Sequence, residues 1–362
     1  MSLVTLRNPK KAPPPAPRPR FLPTTREEMR ARGWDELDIL IVSGDAYVDH
    51  PAFGPVLIAR FLEGRGYRVG IVAQPQWTSP EDVARMGRPR LFVGIAAGNL
   101  DSMLNKLTAQ KKVRSEDQYS PGGRTGLRPN RATLVYSNLC RQAFPGTPIV
   151  IGGIEASLRR IAHYDYWSDE VRRSILLDAK ADLLVFGMGE RAAWEIAQRL
   201  ERGEKVAALT DVRGTAHVKK NRAEWEPLLA EQSRYVTDGK LLVLPSYDDV
   251  RSDKEAFAKM SRAFQYETNA HNGRPLLQVH GSEAVYFNPP ALPLSEAEMD
   301  GLYDPAVHAA SAPELRGARA GLRDHQELDR HHARLLRRLH VLQHHRARRS
   351  HHPEPLQRQR AP

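Results

Sequence analysis

Residues 38–44 read DILIVSG, and this short run with the segment after it decides the fold. Ile39, Leu40, Ile41 and Val42 form an unbroken apolar series closed by polar residues and Gly44. A run with no wet–dry alternation reads as a strand covered on both faces. The next segment, PVLIARFLEGRG at residues 55–66, changes to a helical period, with Pro at its start and Gly at its end. The pattern then repeats. YRVGIVAQP (67–75), RLFVGIAAG (90–98), TPIVIGG (147–153) and ADLLVFGMG (181–189) are further buried-strand runs. SPEDVARMG, ATLVYSNLCRQAF and ERAAWEIAQRLERG supply helices between and after them. Strands alternating with helices predict an α/β fold, a Rossmann-like doubly wound parallel sheet.

Around this unit the texture changes. Residues 1–25 are rich in Pro and basic residues and read as a flexible lead-in, with Thr24 or Thr25 able to cap a short helix. Residues 26–204 form the Rossmann-like unit, with a long polar loop at 111–130. Residues 205–287 carry shorter strand runs and one helical stretch, an appended α+β segment. Residues 288–304, NPPALPLSEAEMDGLYD, read as an extended connector leading into a capped helix.

The chain is strongly basic, +11 over 362 residues, but unevenly so. Residues 305–362 hold twelve Arg, no Lys and five acids, a net of +7, which leaves +4 (11 minus 7) for residues 1–304. The body is therefore only mildly basic and no specific nucleic-acid partner is expected, while the basic tail offers an alternative reading as a non-specific nucleic-acid binder. No apolar run reaches the length of a membrane span and the start lacks an apolar signal core, so no membrane partner is expected either. The one cysteine, Cys140, excludes an internal disulfide and any multi-cysteine metal site within this chain, and points to a reducing cytoplasmic setting. It lies among helical apolar residues as a core thiol.

In open parallel sheets ligands sit beyond the carboxyl ends of the strands. The candidate pocket for an unknown small molecule therefore gathers the residues that follow each run. They are Gly44, Asp45, Asp49 and His50 after the first, Gly98 and Asn99 after the third, and Gly152, Gly153 and Glu155 after the fourth. Arg159, Arg160, His163, Tyr164 and Asp165 crowd the segment that follows. Two readings stand for this last group: recognition of an anionic or planar group with proton transfer by His163 and Asp165, or an Arg–Asp ion network that holds a loop. Asp49 and His50 likewise read as an acid–base pair, a ligand, or a structural turn. No spacing completes a metal or nucleophile motif, and GMGE (187–190) lacks the full dinucleotide fingerprint.

DILIVSGDAYVDHPAFG, RVGIVAQP, AAGNLDSMLN, RPNRATLVYSN, GGIEASLRRIAHYDYWSDEVRRSILLDAKADLL and NPPALPLSEAEMD together resemble the N-terminal region of the YgiQ-type radical SAM family, from about Phe21 to Asp304. The resemblance implies a bacterial cytoplasmic protein of unassigned substrate. It implies a front domain similar in fold to cobalamin-binding domains, ahead of a radical SAM barrel. Asp49 and His50 are adjacent, whereas the usual cobalamin pattern separates Asp and His by one residue, so the likeness is one of fold. An intact member is implied to bind a [4Fe–4S] cluster through C-x3-C-x2-C and to cleave S-adenosylmethionine. This chain has no such motif. No cofactor is expected in it, and the missing barrel is its natural packing partner.

At the place where the family carries the cluster motif, residues 331–349 read HHARLLRRLHVLQHHRARR. Residues 305–362 use only eleven amino-acid types, dominated by those with G- and C-rich codons. Back-translated and read one base later, residues 331–349 can spell IMRGCFGGCTFCSITEHE. Leu335, Leu339 and Leu342 then become the three cysteines, and they already stand at the x3 and x2 spacing. Residues 305–362 are therefore read as an out-of-frame tail following a break just after Asp304, expected to be disordered or loosely docked, and the chain as a truncated and inactive relative of the family.

Overall fold

The computed structural model describes residues 21–231, 240–303 and 310–311. Nine strands form one sheet: β1 (Ile39–Ser43), β2 (Val69–Ala73), β3 (Phe92–Ala96), β4 (Ile149–Gly152), β5 (Leu183–Val185), β6 (Thr215–Lys219), β7 (Leu242–Val243), β8 (Leu276–His280) and β9 (Glu283–Phe287). Their order is β7-β8-β9-β6-β5-β4-β3-β1-β2. The five strands from β2 to β5 are all parallel. Their order, 2-1-3-4-5, is the flavodoxin-like variant of the doubly wound fold and not the six-strand Rossmann order. Its switch point lies between β1 and β3.

Alternation along each strand feeds two separate cores. Leu40, Val42, Val93 and Ile95 pack on one face with the helix Ala132–Ala143. Ile39, Ile41, Phe92 and Val150 pack on the other with the helices Gly54–Glu63 and Glu190–Glu201. Successive side chains point to opposite faces, so a run apolar at every position needs both faces covered.

The segment from residue 205 extends the same sheet. β5 pairs antiparallel with β6, β6 with β9, and β9 with β8, while β7 joins β8 in parallel. At the amino end Leu22 is buried and its N–H donates to the Tyr47 hydroxyl, so the chain is anchored from about this residue. Residues 1–20 of the lead-in lie outside the described residues. Thr25 caps the helix Arg26–Arg30 by accepting from the Glu28 N–H at 3.2 Å. Ser295 and Glu298 close a capping box at the start of Glu296–Tyr303, and Arg191 pairs with Glu298 to fix that helix on the body. The out-of-frame reading of residues 305–362 lies outside the described residues except for Ala310–Ser311, which pair with Val48–Asp49 beside the end of β1.

Candidate functional site

A cavity of about 540 Å³ opens at the carboxyl ends of β1, β3, β4 and β5. It lies between the sheet and the two helices on the Ile41 face, and small residues create it. The register places Ile41, Gly94 and Val150 in one row across β1, β3 and β4, and Ser43, Ala96 and Gly152 in the next. On β3 and β4 the positions that should fill the space toward the helices are Gly94, Ala96 and Gly152. The opposite wall is Phe53, Leu57 and Ile58 from the first helix and Ala193 from the second. A pocket of this size and apolarity at a doubly wound switch point is the ordinary form of a small-molecule site.

Of the candidate residues, Gly98, Asn99, Gly152 and Gly153 line this cavity. Gly44 does not; it is packed hard against the backbone of Ala97, whose carbonyl carbon would lie 2.8 Å from a Cβ there. Asp45 is buried and turns inward. Its carboxylate accepts from the Asn99 N–H at 2.6 Å and from Arg128 Nη1 at 2.6 Å. Arg128 also donates to the Ala97 carbonyl at 2.7 Å and to Asp117 at 3.4 Å. Burial lifts the Asp45 carboxyl to about 6 although Arg128 opposes it. This network ties the polar loop at 111–130 to the switch point. Gly98 sits at φ 114° against it, with Arg128 Nη1 2.7 Å from where a Cβ would stand, so only glycine fits.

Glu155 is also an anchor. Its Oε2 accepts from the Ser102 N–H at 2.8 Å and the Ser102 hydroxyl at 2.5 Å, and its Oε1 from the Thr133 N–H at 3.0 Å. One carboxylate thus satisfies the starts of two helices, where orphan N–H groups need an acceptor. Asp49 forms a buried two-pronged ion pair with Arg60. His50 is buried beside it, its Nδ1 accepting from the Ala52 N–H at 3.1 Å. The Asp49 carboxylate is therefore committed to Arg60.

A second hollow, about 430 Å³, brings together Arg159, His163, Tyr164 and Asp165. The charges of Arg159, Asp101 and Asp165 are already matched, and Arg114 on the same lining donates to the Leu104 carbonyl at 3.1 Å. Arg159 donates to Asp101 at 2.9 and 2.6 Å, and Asp165 accepts from Arg131 at 2.5 Å and from the Trp167 N–H at 3.0 Å. Asp101 also caps the helix Ser102–Lys106. The geometry is that of an ion network holding a loop. Burial lowers the His163 pKa, so the ring is neutral at neutral pH, with Nδ1 3.0 Å from the Ile161 carbonyl. The exposed Tyr164 hydroxyl donates to Asp169. Arg160 lies apart from this hollow, over the rings of Phe186 and Phe264, and burial lowers its pKa to about 10.

Reading the sequence for polar loops placed GMGE (187–190) at a strand end without singling out Glu190, and it did not anticipate the helix wall of Leu57 and Ile58. Glu190 opens the second helix, lines the cavity, and is 7% exposed, with Oε2 buried and unpartnered among the described residues. Burial raises its pKa. The available signal was the small residues at alternate positions, Gly94, Ala96 and Gly98, in an otherwise bulky strand run.

Fold and cavity together define a doubly wound α/β domain with a largely apolar cavity at its switch point. The chain belongs to the radical SAM N-terminal family, whose match covers residues 21–320. That match runs past Asp304, so its end does not coincide with the expected break of frame. The chain is 48% identical over 336 residues to a UPF0313 protein of Pseudomonas aeruginosa, covering 80% of this chain and 45% of that protein. It is 50% identical over 315 residues to a UPF0313 protein of Rhodopseudomonas palustris, covering 85% and 46%. With a UPF0313 protein of Bradyrhizobium diazoefficiens the identity is 48% over 312 residues, covering 84% and 46%. The chain thus spans less than half the length of these relatives.

The family implies a [4Fe–4S] cluster and S-adenosylmethionine in intact members, and the residues of this chain do not fit the cluster. Three thiolates are needed to leave one iron open. The chain has one cysteine, and Cys140 is buried in the core, where burial pushes its thiol up to about 12. Among the described residues no three His, Cys, Asp or Glu side chains are placed to hold a metal ion. No helix among them is long and apolar enough to cross a membrane.

Proposed function

We propose that this chain is the ligand-holding front part of a radical SAM protein whose substrate is undefined. The cavity at the carboxyl edge of the parallel strands carries this reading. It is a preformed apolar site in a chain whose family is the N-terminal part of radical SAM proteins. Cluster and S-adenosylmethionine chemistry belong to the portion of the relatives that this chain does not match. In the tail that portion begins out of frame, with Leu335, Leu339 and Leu342 at the cysteine positions.

The missing barrel is the natural cover for the cavity edge. Leu104, Ile154, Leu158, Tyr164 and Tyr166 are all exposed around the strand ends, an apolar surface of the kind that marks an interface. Anaerobic iron–sulfur reconstitution of the chain is expected to give no [4Fe–4S] absorption, because three cysteine ligands are lacking. A stable cluster at one per chain would place the chemistry in this polypeptide and overturn the assignment.

A further inference from the structure

Among the described lining residues, Glu190 gives the cavity its one carboxyl group. None of the described residues on the lining is Lys, Arg or His, and the other polar side chains there, Asn99, Gln118 and Tyr119, are uncharged at neutral pH. A carboxyl at the first position of a helix normally faces water and favours the helix dipole. Here it is buried, and Oε2 finds no donor among the described residues. A buried acceptor without a partner is costly, so the site is built to receive a donor. An anion would meet a carboxyl with no basic side chain on the lining to offset it. A purely apolar ligand would leave Oε2 unpaired. The space lies between the small residues Gly94, Ala96 and Gly152 on one side and the apolar side chains of Phe53 and Leu57 on the other, surfaces that can contact the two faces of an aromatic ring.

We propose that this cavity binds an amino-substituted heteroaromatic ring, with the Glu190 carboxyl paired to an N–C–N edge that carries an N–H donor. The inference rests on the ligand-holding reading above and names the class of ligand. Such an edge offers a donor beside an acceptor. An ionised carboxyl accepts from its N–H groups, and a protonated one donates to the ring nitrogen and accepts from the amine, so both forms pair. The rest of the ring is held by apolar contact with Phe53, Leu57 and Val150.

Calorimetry on the whole chain with three bicyclic probes tests this. 2-Aminobenzimidazole is expected to bind at one per chain, more tightly than naphthalene, and 2-naphthoate to bind worst. Glu190→Leu, which removes both carboxyl oxygens at similar bulk, is expected to weaken the amine by roughly tenfold or more, the scale of one hydrogen bond to a charged group, and not to weaken naphthalene. Ala193→Phe, which fills the cavity from the helix side, is expected to abolish binding of every probe while keeping the melting temperature close to that of the parent. If 2-naphthoate binds as well as the amine, or Glu190→Leu leaves the amine within twofold, the ligand class is wrong while the cavity reading stands. If none of the three binds, naphthalene included, the cavity is not a ligand site and both readings fall.

Discussion

Replacing Arg128 by Met is expected to lower the unfolding free energy by about 3–5 kcal/mol, measured by urea denaturation, because two carboxylates then stay buried without their cation. Arg128 is 1% exposed, and both Asp45 and Asp117 are buried with it. The apolar stem of Met fills much of the space, so the loss is mainly electrostatic. The loss also depends on pH. The folded Asp45 carboxyl is raised to about 6, above its ordinary value near 3.8, so the native chain binds that proton more tightly than the unfolded chain. Ionising it costs stability as pH rises through about 6, and without Arg128 the cost is larger. The gap between parent and variant is therefore widest above neutrality and narrows as Asp45 protonates. A gap that is flat from about pH 8 to about pH 5 would mean that Asp45 is not the carboxylate Arg128 neutralises.

Gly44→Ala is expected to be as damaging, by about 3 kcal/mol or more, for a steric reason. A Cβ at Gly44 would overlap the carbonyl oxygen of Ala97, with the carbonyl carbon 2.8 Å away, and neither belongs to a side chain that can swing aside. These residues end β1 and β3, the two central strands at the switch point. Separating them would also pull on Asn99, whose N–H is held by Asp45 at 2.6 Å. Gly33 is the matched control. It sits at φ 74° with nothing within 4 Å of a Cβ, so alanine there costs only the backbone strain of about 1–2 kcal/mol. Thermal melts of the two variants against the parent separate close approach from conformational strain; equal losses would contradict the steric account.

The parallel half of the sheet was legible because each strand had to be apolar on both faces, and few other structures require that. Residues such as Ile39–Leu40–Ile41–Val42 announce themselves. The antiparallel extension was harder to read. β9, EAVYF, carries Glu283 and Tyr286 beside buried Ala284, Val285 and Phe287, and such a short mixed run has no decisive period. The strand ends coincide with the rim of the cavity, while the sequence left the roles of their polar residues open. Asp45, Asp49, Glu155 and Asp165 have charges that suit a ligand equally well, and only the fold shows that Arg128, Arg60, two helix starts and Arg131 occupy them. Glu190 went the other way. In sequence it is an ordinary first-turn glutamate; in the structure its Oε2 is buried at the cavity with no partner among the described residues.

The most direct measurement is the nucleotide sequence of the gene across the codons for His331 to Arg349. If this chain is the front of a radical SAM protein followed by an out-of-frame tail, reading those codons one base later must give cysteine at Leu335, Leu339 and Leu342, with no stop between them. If any of the three shifted codons is not cysteine, the tail is in its own frame, and the chain is not a shifted version of a cluster-binding relative.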